Sequence, residues 1–238
     1  MNEIKRFYIQ HRKQILVALA VSVFVALIVV IILYVQYMRK KALIEQIKMQ
    51  NTNLSPFQRD VVASAMAELE YWDGRKETDD ALLDRLKDYY RAAGVNVDKW
   101  TKDQIQDTAW SSAFISYVVK NANGGDFKYS TSHSQYVIDS VANKMQDNNR
   151  GFYGYRISED KLQPGDIVVY ARQTGVDYLT NSAYQSHGDV VVKVEGEVAY
   201  VVGGNVSNGV TMKKIYLKEG YFDQSKNRDK YFVIVRKN

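Results

Sequence analysis

An α+β domain carried behind a single apolar helix is what this 238-residue sequence predicts, on three observations. Between Gln14 and Met38 there is no charged residue. From Phe57 to Lys144 apolar residues recur at helical intervals. After Pro164-Gly165 the period shortens to that of extended segments rich in Val, Ile and Tyr. Helices first and a meandering sheet second is the arrangement in which helices pack on one side of an antiparallel sheet.

The apolar run reads ILVALAVSVFVALIVVIILYV from Ile15 to Val35. At ~1.5 Å per residue it reaches roughly the ~30 Å of a bilayer core, and lipid leaves a lone segment no way to cross except as a helix. A cleaved signal peptide would be shorter and end in small residues, whereas this run continues into Tyr34, Tyr37, Met38 and Arg39. Residues 1–14 are therefore read as a basic segment, 15–38 as a transmembrane helix, 39–56 as a stalk and 57–238 as one domain. Lys5, Arg6, Arg12 and Lys13 precede the run and Arg39, Lys40 and Lys41 follow it, a slight bias toward a cytoplasmic N-terminus. The expectation is a single-pass protein of the inner cell membrane with its C-terminal domain outside the cytoplasm.

Ser55-Pro56 restarts the chain after the stalk. Helices are expected over 57–72, with Val61, Val62, Ala65, Met66 and Leu69 on one face; over 78–93, ended by Gly94; over 102–121, ended by Asn123-Gly124-Gly125; and over 134–144. A glycine- and tyrosine-rich passage follows at 151–155. Strands are expected over 167–171, 189–194, 198–202, 210–217 and 231–236.

Composition narrows the chemistry. With no cysteine there is no disulfide framework, no thiolate-ligated metal and no cysteine nucleophile. Residues 1–56 carry eight Lys/Arg against two Glu, so the overall charge of +5 resides there and the rest is near neutral at −1. Such a body has no general grip on nucleic acid. No HExxH, acidic calcium loop or glycine-rich phosphate loop is present, so neither metal nor cofactor is expected.

Of the three histidines, His11 lies in the lead-in to the apolar run, leaving His133 and His187 for acid–base work. Ser186-His187-Gly188-Asp189 opens a valine-rich strand, and the next strand ends at Gly203-Gly204-Asn205. If Gly196 centres the turn between them, His187 faces Asn205, whose amide would hold one imidazole nitrogen, as a third catalytic residue does. A polar pair at a sheet end satisfies the same spacing. Asp189, two residues on along the same face, is the less favoured orienter. His133, between Ser132 and Ser134 just before a helix, reads either as a neighbour of the helix cap or as a group lining a groove. Asp166, after a proline-glycine turn, is read as structural.

The stretch Trp110-Ser111-Ser112-Ala113-Phe114-Ile115-Ser116 resembles the active-site helix of the CHAP amidase/peptidase family, a relative of the NlpC-type cell-wall peptidases in the papain-like superfamily. Leu162-Gln-Pro-Gly-Asp166-Ile-Val, Ser186-His187 and Gly203-Gly204-Asn205-Val-Ser-Asn-Gly-Val210 follow in the family's order. The form Trp-Ser-Ser-Ala-Phe-Ile-Ser, with Ser132-His133-Ser-Gln-Tyr136 after it, looks closest to an uncharacterised bacterial family in this group, in which serine commonly stands for cysteine. The resemblance covers about 57–238. It implies a papain-like fold, Ser111 as nucleophile, His187 as base and Asn205 as its orienter. Trp110, His133 and Tyr136 are the substrate-binding candidates. The implied reaction is hydrolysis of amide bonds in peptidoglycan peptides through an acyl-enzyme. The alternative is a catalytically silent domain that binds a wall peptide or an envelope-assembly partner.

Overall fold

The computed structural model describes residues 3–49 and 53–238 and divides the chain into two compact units, 1–50 and 51–238. The first is one helix, α1 (Glu3–Met49), whose 47 residues extend about 70 Å at ~1.5 Å each. Its stretch Gln10–Ile47 is long and apolar enough to cross a membrane, with a mean hydropathy of 3.4 in its most apolar part. The helix continues past the expected end of the span into the stalk.

In the second unit, α2 (Pro56–Trp72) begins in a capping box. Ser55 Oγ accepts from the Gln58 N–H, and Gln58 returns the bond to the Ser55 N–H. It ends where Asp73 adopts a left-handed φ of 40°. The helix expected over 78–93 is a single 3₁₀ turn, Asp80–Leu82, followed by α3 (Leu83–Ala92). The helix expected over 102–121 is two helices, α4 (Lys102–Asp107) and α5 (Ser111–Asn121). The break has a local cause. The buried Tyr90 hydroxyl lies against the carbonyls of Ile105 (3.0 Å) and Thr108 (2.7 Å), and Thr108 is extended at φ −85°, ψ 134°. Helix α6 (His133–Gln146) is close to its expected span.

Seven strands form one antiparallel sheet: β1 (Phe152–Arg156), β2 (Ile167–Ala171), β3 (Ser186–Glu195), β4 (Val198–Val206), β5 (Gly209–Lys218), β6 (Tyr221–Phe222) and β7 (Tyr231–Lys237). Their order is β1-β7-β2-β3-β4-β5-β6. The run β2 to β5 is the expected meander, but the C-terminal strand inserts between β1 and β2. β1 occupies the glycine- and tyrosine-rich passage. Its Gly154 lies so close to α6 that an added Cβ would overlap Val141, which explains a strand with a glycine at its centre. Helices α2 and α5 pack on β3 and β4, and α6 packs on β1. An apolar cluster, including Val168, Val191, Val201, Ile215, Leu217 and Ile234, forms around the strands.

The β3–β4 hairpin turns at Gly196 (φ 58°) with Glu195 opposite Val198. An irregularity between Val191 and Lys193 shifts the register, so that Val191 pairs with Val201 and Val190 with Val202. The paired register stops there, three residues short of His187.

Candidate functional site

The break between α4 and α5 determines where Ser111 sits. Trp110 takes the cap position at φ −116°, ψ 6°, and its fully buried indole stacks on Trp72 at 4.7 Å while Nε1 donates to Glu77 Oε2 at 2.7 Å. With Trp110 anchored in the core, Ser111 becomes the first residue of α5. The N–H groups of a helix's first turn have no intrahelical acceptor, and Trp110 supplies no side-chain cap, so Ser111 stands where backbone donors and the helix dipole favour negative charge.

Helix α6 starts in a similar way. Ser132 makes no side-chain cap, and His133 is its first residue. The two helix starts meet: Ser111 Oγ and His133 Nε2 are 2.7 Å apart, and His133 Nδ1 lies 2.7 Å from the Tyr136 hydroxyl. Gly188 of β3 makes this approach possible, since a Cβ there would overlap the Tyr136 hydroxyl and stand 3.0 Å from His133 Nδ1. Burial, then the neighbouring His187, push the His133 pKa well below 6.5, with Asp189 opposing and Arg172 adding to the depression. His133 is thus a neutral imidazole at pH 7. With its proton on Nδ1, donated to Tyr136, Nε2 accepts from Ser111.

The His187 ring is 5.6 Å from that of His133 and is fully buried. Both its nitrogens are engaged, and not by Ser111 or Asn205. Arg172 Nη2 lies 3.1 Å from Nδ1, and Asp189 Oδ1 lies 3.0 Å from Nε2. Because a guanidinium only donates, Nδ1 is the acceptor and Nε2 carries the proton given to Asp189. Asp189 is itself completely buried. Its second oxygen takes Lys213 Nζ at 3.1 Å and the Tyr231 hydroxyl at 3.2 Å. Burial alone would raise its pKa, but His187 and Lys213 outweigh that and hold it below the ordinary carboxylate range.

The sequence-predicted residues are therefore brought together in part. Ser111, His133 and Tyr136 form one hydrogen-bonded chain, with His187 beside it. Asn205, expected on His187, lies in β4 with a left-handed φ of 56°, where the β4–β5 register is also irregular, and Asp189 makes the contact expected of it. A further reason is Gly203, at which a Cβ would overlap Asp189 Oδ1, so the bare strand backbone leaves the carboxylate room beside His187. Trp110, expected to bind substrate, is part of the core. Arg172, Lys213 and Tyr231 were not singled out from the sequence, because each reaches the site across strands and no local motif carries it. Asp189 did carry a signal, its i+2 spacing from His187. Near the same strand end, Tyr184 Oη and Ser186 Oγ are buried without a hydrogen-bond partner. Among the described residues no group of three or more His, Asp or Glu side chains is placed to hold a metal ion.

Residues 65–233, which contain every residue of this cluster, match a family described as "Uncharacterized protein conserved in bacteria (DUF2272)". No curated protein and no solved structure matches the chain.

Proposed function

The chain belongs to the DUF2272 family of bacterial proteins, and from the chemistry of its buried cluster we propose that it is a membrane-anchored amidohydrolase of peptidoglycan peptides with Ser111 as nucleophile. The observation that carries this reading is the 2.7 Å contact between Ser111 Oγ and His133 Nε2 at the start of α5. A serine hydroxyl needs a neutral base within hydrogen-bond reach and donors for the oxyanion; His133 and the N–H groups at the start of α5 take these roles in this reading. His133, rather than His187, is the base in this proposal.

The reaction follows in two halves. Ser111 Oγ bonds to the amide carbonyl carbon as its proton passes to His133 Nε2, and the oxyanion is held by N–H groups at the start of α5. The C–N bond then breaks, the leaving amine takes the proton from His133, and an acyl-serine remains. Water attacks that ester, giving a proton to His133. The C–Oγ bond breaks and the proton returns to Ser111. The nearby Asp189 carboxylate favours the imidazolium that forms transiently on His133. Peptidoglycan as substrate rests on the resemblance to CHAP and NlpC-type enzymes and on the apolar helix, which would hold the domain at the outer face of the inner membrane.

A silent binding domain is the second reading. It is favoured by one feature: the second nitrogen of His133 meets a tyrosine hydroxyl and not a carboxylate, which makes His133 a weaker base than its counterpart in a Ser-His-Asp triad. Full-length protein in detergent, incubated with isolated peptidoglycan and read by mass spectrometry, separates the two. Wild type should release new amine and carboxyl termini, and Ser111→Ala should lower the rate by about a thousand-fold or more. Cleavage by Ser111→Cys alone would establish the binding reading, and silence from all three folded proteins would remove the hydrolase.

A further inference from the structure

We infer that Arg172 is the specificity residue of this site and receives a carboxylate of the peptide ligand. The side chain is exposed and lies one residue beyond β2, where its backbone N–H donates to the Gln185 carbonyl at 2.9 Å and so fixes the base of the β2–β3 hairpin. Its guanidinium rests on His187 Nδ1 at 3.1 Å. No carboxylate of the described residues forms an ion pair with it, and the nearest acidic group of the cluster, Asp189, is committed to His187 and Lys213.

A guanidinium presents five donors in a planar fork that matches a carboxylate, and the paired bonds gain opposite charge as well as geometry. On the His187 nitrogen it uses one donor and meets no opposite charge. An incoming carboxylate therefore outcompetes the imidazole for Arg172, while His187 gives up a single contact and keeps Asp189 on its other nitrogen. The position also ties binding to chemistry. The positive charge of Arg172 is among those that disfavour a proton on His133. A ligand carboxylate neutralises that charge as the Ser111 proton moves to His133, and frees His187 Nδ1 inside the site. The groups that face His187 are Arg172 after β2, Tyr170 on β2, Asp189 on β3 and His133 on α6, with Lys213 and Tyr231 behind Asp189. Only Arg172 among them is exposed and cationic.

The kind of ligand rests on the amide-hydrolase reading, but the binding does not require turnover. Calorimetric titration of the full-length protein in detergent with the tripeptide L-Ala-γ-D-Glu-L-Lys, as free acid and with both carboxyls amidated, tests it. Wild type should bind the acid at least ten-fold more tightly, and only the acid should move the ¹⁵N resonance of His187 Nδ1. Arg172→Gln should bind both forms alike, Arg172→Lys should keep part of the preference, and Ser111→Ala should keep all of it. Equal binding of the two forms by wild type, absence of binding included, or a preference that survives in Arg172→Gln overturns the assignment. The hydrolase reading is judged separately: a carboxylate preference without any cleavage by wild type removes the enzyme and leaves Arg172, and cleavage without the preference does the reverse.

Discussion

His133 is where burial and charge set the behaviour of a single residue. Its folded pKa lies well below the ordinary 6.5 of the unfolded chain. Below about pH 6.5 the unfolded chain therefore binds a proton that the folded chain refuses, and stability falls as pH drops, by at most ~1.4 kcal/mol per pH unit for one proton. Asp189 acts in the same direction through a different window. Its folded pKa is depressed, so its contribution is complete above about pH 4 and is lost only below that. Urea midpoints at pH 7 and pH 5 thus read His133 apart from Asp189. Wild type should lose more stability over this interval than His133→Gln, and parallel losses would show that His133 is not buried as a neutral ring. At this scale the sequence disclosed the two histidines, the serine and the i+2 aspartate, because each lies in a short motif. The Ser111–His133 contact was not legible. It joins the first residues of two helices 22 positions apart, and it depends on where a helix breaks.

That break belongs to the scale of elements, and it shows why patterning read one helix where there are two. Ile105, Phe114, Ile115, Val118 and Val119 keep a helical period across 102–121 and all are buried, so the apolar spacing gave no warning. The interruption is made by a side chain from another helix, Tyr90, on the carbonyls of Ile105 and Thr108. Likewise, β7 was read as the last strand of a meander, yet it lies between β1 and β2. What secures it there includes a buried ion pair. Arg236 of β7 donates to Asp166 Oδ1 from Nε at 2.7 Å and to Oδ2 from Nη2 at 2.8 Å, directly ahead of β2. The Gln163 N–H adds a third bond to Asp166 at 2.8 Å, which bears out the structural reading of that aspartate. Burial raises the Asp166 pKa and Arg236 pulls it back, so the pair stands or falls together. Asp166→Ala leaves a half-buried guanidinium with Asp160, a backbone carbonyl and the Tyr155 ring, and should cost about 3–5 kcal/mol by chemical denaturation. Asp166→Ala combined with Arg236→Met should cost less than the sum of the single changes. Strict additivity would mean that the two groups do not stabilise one another.

For the molecule as a whole, α1 is the element that would hold the proposed chemistry at a membrane. Its residues from Leu16 to Leu33 are apolar on every face, with Ser22 the one polar side chain among them, and Ser22 returns its hydroxyl to the Ala18 carbonyl. A helix that lies in the membrane interface needs a charged face opposite its apolar one, and this stretch has none; a helix that crosses needs the composition it has. The basic residues at both ends, Arg12 and Lys13 before and Arg39 to Lys41 after, suit headgroups on either side of a bilayer. Charge at the centre of a membrane span is costly, about 2.5–3.5 kcal/mol for each Asp, Lys or Arg. Wild type expressed in a bacterium should therefore stay in the membrane pellet through an alkaline carbonate wash. Val25→Asp combined with Ile28→Asp should move a large share of the chain into the supernatant, while Met49→Asp, beyond the apolar stretch, should change nothing. Release of wild type by carbonate would remove the anchor. Protease added to spheroplasts then sets the direction: digestion of the C-terminal unit with intact cells places Ser111 on the side where peptidoglycan lies, and protection there would leave the cluster facing a compartment without that substrate.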